Sequence, residues 1–383
     1  MVTFARKKER IQLFINSETD KTMMTATRRE WSELYTFFTI LAQGGLAAGT
    51  ADGTEGTWMP VALVQRQEHD GTRRYLIGAE EIRIQGAEMD ERIPREDFAT
   101  VAGMILQTLS DVHDDEVEAP EGVEGFLDAV RIYDLEAVTD DRTDLYVAFY
   151  HPEAPLVGLR IYSRLCTLDP LLDGGRTANL KMEQTGIRFS QPAVYKINYT
   201  DNPENPAEVA RRMLYIESMG GIFKYSDVCD RVFRSNLHMI DLHFPRVLCE
   251  MLRIFHLDQI SRIDELTALI EERNPLKIKD ELIHKHGFYR HKMKQFLVAL
   301  ALGLRPAKIY TGRDSAVSGI LMVGADGRIT VYQKSDKDVF GDYLFTHTRL
   351  EKGLPDKDKY GYLERENKLY YFKLNLKIGF VRR

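Results

Sequence analysis

The chain has 383 residues, 44% hydrophobic and 29% charged, the balance of an ordinary soluble protein able to bury a substantial core in two or three structural units. A net charge of −6 excludes a uniformly basic nucleic-acid binder, although lysine and arginine can still gather on one face. No apolar run reaches membrane-spanning length and no signal peptide opens the chain, so a cytoplasmic protein is expected.

Residues 1–25 read as a loosely held extension. Trp31, Leu34, Tyr35, Phe38 and Leu41 then follow helical spacing, with Thr27 and Glu30 as a capping box and Gly44-Gly45 as the stop. Strands are predicted over 61–65, 74–77 and 81–84, and a helix over 98–109, which completes a helix-and-strand region at 26–110. Residues 111–124 are strongly acidic and hold Pro120 and Gly122; they read as a solvated linker, with a DNA-mimicking tract as the alternative. Residues 125–204 begin with a short helix over 126–130 and continue as strands.

The region 205–304 reads as helical throughout, with Val247, Leu248, Met251, Leu252 and Phe255 lining one helix face. From Pro306 strands return in a region ending at 383. Residues 319–323 and 329–333 flank the turn Ala325-Asp326-Gly327-Arg328 as a hairpin. A short helix is predicted over 338–346, and one long alternating strand over 369–380.

The three cysteines, Cys166, Cys229 and Cys249, lie far apart without CxxC spacing, which predicts buried thiols in a reducing compartment. His284, His286 and His291 lack the geometry of a zinc site, and Asp173-Gly174-Gly175-Arg176-Thr177 lacks the spacing of a phosphate-cradling loop.

The most informative stretch is Thr143-Asp144-Leu145-Tyr146-Val147-Ala148-Phe149-Tyr150, followed by His151-Pro152-Glu153-Ala154-Pro155 and by Gly158-Leu159-Arg160-Ile161-Tyr162-Ser163. An acid enters a short strand, a turn follows, and a second short strand closes the hairpin. This resembles the catalytic hairpin of the HpaII-type restriction endonucleases. Three other segments, in the right order, carry the same resemblance. They are Glu30-Trp31-Ser32-Glu33-Leu34-Tyr35, the stretch around Phe296-Leu297-Val298-Ala299-Leu300, and the C-terminal block with Phe340-Gly341-Asp342-Tyr343-Leu344-Phe345 and Phe372-Lys373-Leu374-Asn375.

The resemblance implies an α/β fold of the PD-(D/E)XK nuclease kind, a mixed sheet flanked by helices, here with a helical insertion and a C-terminal strand block. It implies metal-dependent cleavage of short palindromic duplex DNA with Mg2+, Mn2+ being an alternative ion. A homodimer would match a palindrome by symmetry, and a cognate methyltransferase would protect the host. The family's second strand carries a small polar residue and then a lysine two positions on. Arg160 and Tyr162 stand at those positions in this chain.

Phosphodiester hydrolysis needs a cation to polarise the phosphate and activate water, and magnesium needs only two or three oxygen ligands from the protein. Asp144 is the first candidate ligand, a strand-edge acid paired with an arginine being its alternative. Glu33 is the second, against a solvated helix acid. Tyr162 is neutral at pH 7 and cannot supply the lysine's charge. Arg160 and Arg164 share its strand face and suit phosphate contact, but an arginine is a poor proton acceptor. Lys181 is a candidate replacement for the lysine, set against a surface lysine on an edge strand. Duplex DNA contacts are expected at Arg164 and along Lys285, Arg290, Lys292 and Lys294, where cations mix with aromatics, or else that stretch is a solvated helix face. Arg305, Lys308 and Arg313 form a second cationic patch. The function expected is a site-specific endonuclease of a defence system; a non-cleaving DNA-binding relative and a subunit of an anti-phage complex are the alternatives.

Overall fold

The computed structural model describes residues 24–139, 141–312 and 315–382. Most of the expected N-terminal extension, and Arg313 of the second patch, lie outside the described residues. The chain forms two compact units. One holds the described residues up to Leu168 together with Ala316–Lys334; the other holds Asp169–Ser315 and Ser335–Arg383.

The first unit runs β1 (Thr25–Thr27), α1 (Arg28–Gln43), β2 (Gly45–Gly49), β3 (Glu55–Glu68), β4 (Gly71–Ile77), β5 (Glu81–Gly86) and β6 (Met89–Pro94). It continues with α2 (Arg95–Asp111), β7 (Glu116–Glu118), α3 (Val123–Val130), β8 (Leu145–Phe149) and β9 (Val157–Ser163). The chain then builds β10 (Leu172–Asp173), β11 (Asn179–Thr185) and β12 (Ile222–Val228) of the second unit, with helices around them. It returns to the first unit for β13 (Val317–Val323) and β14 (Ile329–Gln333). It ends in the second with β15 (Thr348–Glu351), β16 (Leu363–Glu366), β17 (Leu369–Asn375) and β18 (Lys377–Phe380).

Helix α1 starts where the sequence places it. The Thr27 side chain accepts from the Glu30 amide, and the Glu30 carboxylate accepts from the Thr27 amide at 2.7 Å. Gly44 ends it in the left-handed region, with φ 63°. Every residue from Trp31 to Leu41 is buried, so α1 is a core helix rather than a half-exposed one. It packs on α2 and β9. The Trp31 indole donates to the Val117 carbonyl at 3.0 Å and the Tyr35 hydroxyl to the Gly327 carbonyl at 2.8 Å.

The nine strands of the first unit's main sheet run β2-β14-β13-β9-β8-β3-β4-β5-β6. Strand β3 is long enough to pair with β2 through its first half and with β4 and β8 through its second. The β2–β3 pairing therefore closes a ring of strands within the sheet. The β9–β13 and β14–β2 pairings are parallel and the others antiparallel, which makes the sheet mixed.

The second unit holds a four-stranded sheet, β12-β11-β17-β16, a three-stranded sheet, β10-β18-β15, and helices. Two expectations are corrected here. The region expected to be all helix contains β12, whose Ile222–Val228 pairs with β11 and so borrows its order from a distant partner. The long strand expected over 369–380 breaks at Leu376, whose amide turns away to the Ala178 carbonyl at 3.1 Å, and its halves serve different sheets. Within the acidic stretch, β7 pairs with β1 and buries Val117.

Cys249 is buried, as expected of a thiol in the core, whereas Cys166 is half-buried and Cys229 exposed. Among the described residues no helix is long and apolar enough to cross a membrane.

Candidate active site

Strands β8 and β9 form the hairpin expected from the sequence, with Leu145 opposite Leu159 and Val147 opposite Val157. Asp144 lies just before this ladder. Its amide donates to the Leu159 carbonyl at 3.0 Å, and its Oδ2 accepts from the Ile161 amide at 2.7 Å. The aspartate is thereby fixed at both backbone and side chain beside Arg160.

Glu33 arrives from α1. Its Oε1 accepts from the Ala137 amide at 2.7 Å, and the side chain is buried. Burial and the charge of Asp144 push Glu33 well above the usual carboxylate range, while Arg66 and the Ala137 amide pull it partway back. Asp144 is raised as well, mainly by burial, against the Ile161 amide and the charges of Arg160 and Arg29. The two acids feel each other, so they titrate as a pair.

Residues that the sequence reading passed over hold this pair. Arg66 is fully buried; it donates to Glu68 at 2.6 Å and to the carbonyls of Asp134 and Leu135 at 3.0 and 2.6 Å. Glu68 also accepts from the buried Tyr75 hydroxyl at 2.9 Å. Arg29 ion-pairs with Glu136 at 2.9 Å. The segment 134–137 is therefore gripped by Arg66, Glu33 and Arg29 together. The sequence signal was faint: Arg66 and Glu68, two apart, share one face of β3 with apolar neighbours.

Tyr162 is 2% exposed, and the Arg160 guanidinium lies over its ring at 4.9 Å from the centroid. Arg160 and Tyr162 thus share a face, as the two-residue period predicts, and pair with Ile320 and Met322 of β13. Arg164 falls beyond the end of β9, where its amide donates to the Val323 carbonyl at 2.9 Å.

Lys181 belongs to β11 of the second unit. Its ammonium ion-pairs with Glu366 and lies 3.9 Å from the centroid of the Tyr371 ring. The cations other than Arg164 that are expected to contact DNA also sit in that unit, and most have acidic partners. Lys285 pairs with Glu281 at 2.9 Å, Arg290 with Glu271 at 3.8 Å, Lys292 with Asp241 at 3.6 Å, and Lys294 with Asp342. Lys308 is exposed, and its carbonyl accepts from Asn236 at 2.8 Å.

Among the described residues no group of three or more His, Cys, Asp or Glu side chains is arranged to hold a metal ion. The donor set is instead a pair. Glu33 and Asp144 each use one oxygen in the backbone bonds above and keep the other outside them. Two carboxylate oxygens suit magnesium, which retains several waters and takes further oxygens from a phosphate.

A mixed α/β unit in which the hairpin's Asp144 feels Arg160 and the helix's Glu33 feels Asp144 has side chains of the kind that suit a divalent cation and a phosphate. A model of the HpaII restriction endonuclease family matches residues 27–380, and the chain belongs to that family. It is 26% identical over 363 residues to "Type II restriction enzyme HpaII" of Haemophilus parainfluenzae, covering 93% of this chain and 99% of that relative. No solved structure gives a significant match. Membership makes this a restriction-type endonuclease by descent.

Proposed function

We propose that the chain is a metal-dependent endonuclease that cuts duplex DNA at specific sites in defence against foreign DNA. The observation that carries this reading is the meeting of Glu33 and Asp144 beside Arg160 in a member of this family. The first unit is read as a PD-(D/E)XK-like nuclease core, and the cation as Mg2+, with Mn2+ as a substitute. A homodimer, a cognate methyltransferase and a cytoplasmic setting complete the proposal.

In this reading Asp144 and Glu33 hold the ion. When bound, Mg2+ polarises the scissile phosphate and makes a water acidic enough to attack. The Ile161 and Ala137 amides keep the two carboxylates oriented, in the positions from which they would hold the ion. Arg160 stabilises charge on a phosphate oxygen but accepts no proton. Lys181 remains the proposed stand-in for the family's lysine. Arg164, Lys285, Arg290, Lys292, Lys294 and Lys308 are proposed to meet the DNA backbone once their acidic partners yield to phosphate.

One observation favours a second reading, a relative that binds DNA without cutting it. The lysine position holds a buried Tyr162 capped by Arg160, and neither residue can take a proton from water at pH 7. Incubation of plasmid and phage DNA with the protein and Mg2+ or Mn2+ separates the two. Discrete fragments that vanish in Asp144→Asn establish the enzyme; a gel shift with intact DNA establishes the binder. Full cleavage by Lys181→Ala would remove Lys181 from the mechanism.

A further inference from the structure

The second unit contains a cavity that the cleavage reading does not use. It has a volume of about 450 Å³ and lies between the edge strand β12 and the helix Phe244–Asp258. Phe223 and Tyr225 of β12 line one side. Arg246, Glu250 and Arg253, at positions i, i+4 and i+7, line the other from a single helix face.

The electrostatics favour an anion with a flat polar body. Arg253 is bound to Glu217 at 2.9 Å and to Glu250 at 3.5 Å, yet its Nε is buried without a hydrogen-bond partner. Arg246 is exposed. Two arginines, Arg246 and Arg253, face one acid, Glu250, in the lining. The volume falls within the range of small-molecule pockets and exceeds what a bare phosphate needs. Aromatic rings offer a stacking surface, arginines offer phosphate contacts, and a carboxylate can accept from an exocyclic amine.

We propose that this cavity is a nucleotide pocket, with the base against Tyr225 and Phe223, its amino edge toward Glu250, and the phosphate at Arg246. The nucleotide comes either free from solution or as one unit of a DNA strand, swung out of its stack. The second source rests on the DNA-binding reading above; the first does not.

The test is calorimetric titration of the full chain with the four deoxynucleoside monophosphates, their nucleosides, and a short mixed-sequence single strand. Saturable binding that weakens about tenfold or more in Tyr225→Ala and in Arg246→Glu is expected, because one stacked base or one phosphate contact is worth that much. Nucleosides should bind more weakly than monophosphates. Binding of monophosphates identifies a free-nucleotide site, and binding of the strand alone identifies the DNA-borne unit. Absence of binding by every probe, or binding unaltered in both variants, overturns the proposal. Arg246 is exposed, so Arg246→Glu keeps the fold even where Tyr225→Ala does not. Asp144→Asn lies in the other unit and should leave this binding intact, so loss of cleavage and loss of the pocket are separable outcomes.

Discussion

The Ser32 hydroxyl donates to the Ser163 hydroxyl at 2.5 Å, in the interior of the first unit. The bond joins α1 at the residue before Glu33 to β9 at the residue after Tyr162. Ser163 Oγ also accepts from the Leu165 amide at 3.1 Å. Position along the helix that brings Glu33 to Asp144 is therefore set by a buried polar link as well as by apolar packing. Ser163→Ala should cost about 1–3 kcal/mol, since it leaves two buried donors without an acceptor. Ser32→Ala should cost less. Chemical denaturation of the two variants measures this, and equal midpoints for both would refute the ordering.

The carboxylate pair makes a prediction about metal. Asp144→Asn keeps an acceptor for the Ile161 amide but removes a charge that burial disfavours. In chelator at pH 7 the variant should be more stable than the parent by roughly 1 kcal/mol or more. Added Mg2+ should raise the melting temperature of the parent and leave the variant unmoved. Equal Mg2+ shifts in both proteins would show that the ion binds elsewhere.

Gly158 lies in β9 where the parallel strand β13 approaches closely. A Cβ at this position would collide with the Ala316 carbonyl oxygen and stand 3.0 Å from Thr143 Cγ2. Neither neighbour is the free end of a flexible side chain. Gly158→Ala should destabilise the first unit by about 2 kcal/mol. Because Thr143 adjoins Asp144, the variant should also weaken the Mg2+ response, read in the same melting experiment.

His256 is buried in the second unit near Phe255 and Tyr360, and its Nδ1 has no hydrogen-bond partner. Burial, with a smaller effect from Lys352, holds its pKa down at about 3. The unfolded chain protonates this histidine near pH 6.5 while the folded chain keeps it neutral. The unfolded state therefore binds more protons across that window, and stability falls as the pH drops below about 6.5. Between pH 7 and pH 5 the loss from this one group is about 2 kcal/mol. Denaturation of His256→Phe across that range should show a flatter pH dependence than the parent; the same slope in both would contradict the assignment.

Several features were legible because their causes are local. The Thr27–Glu30 capping box and the Gly44 stop define α1 within a few residues of chain. The turn at Gly324–Arg328 joins β13 and β14, as the run Ala325-Asp326-Gly327 foretells. Other features depend on distant chain. Nothing near Glu116 announces that β7 will pair with β1, and nothing near Ile222 announces β12. The expected strand over 369–380 reads correctly by alternation, yet Leu376 turns away to Ala178, almost two hundred residues earlier. The acidic partners of the cationic run 285–294, among them Asp241, Glu271 and Asp342, lie elsewhere in the sequence and are not legible beside it.

The residue types of the hairpin, and with them the family, are written in the sequence: Asp144 before one strand, Arg160 and Tyr162 on the next. Alternation along β9 alone puts the last two on one face. The sequence alone names Glu33 beside Asp144, but only the tertiary structure buried it within reach of Asp144's charge. It also buried Tyr162 beneath Arg160, and it placed Arg66 and Arg29 to hold the segment 134–137. The division has a physical origin. Caps, turns and alternation are fixed by neighbours within a few bonds, whereas a carboxylate's charge, burial and partners are set by whatever the fold brings alongside it.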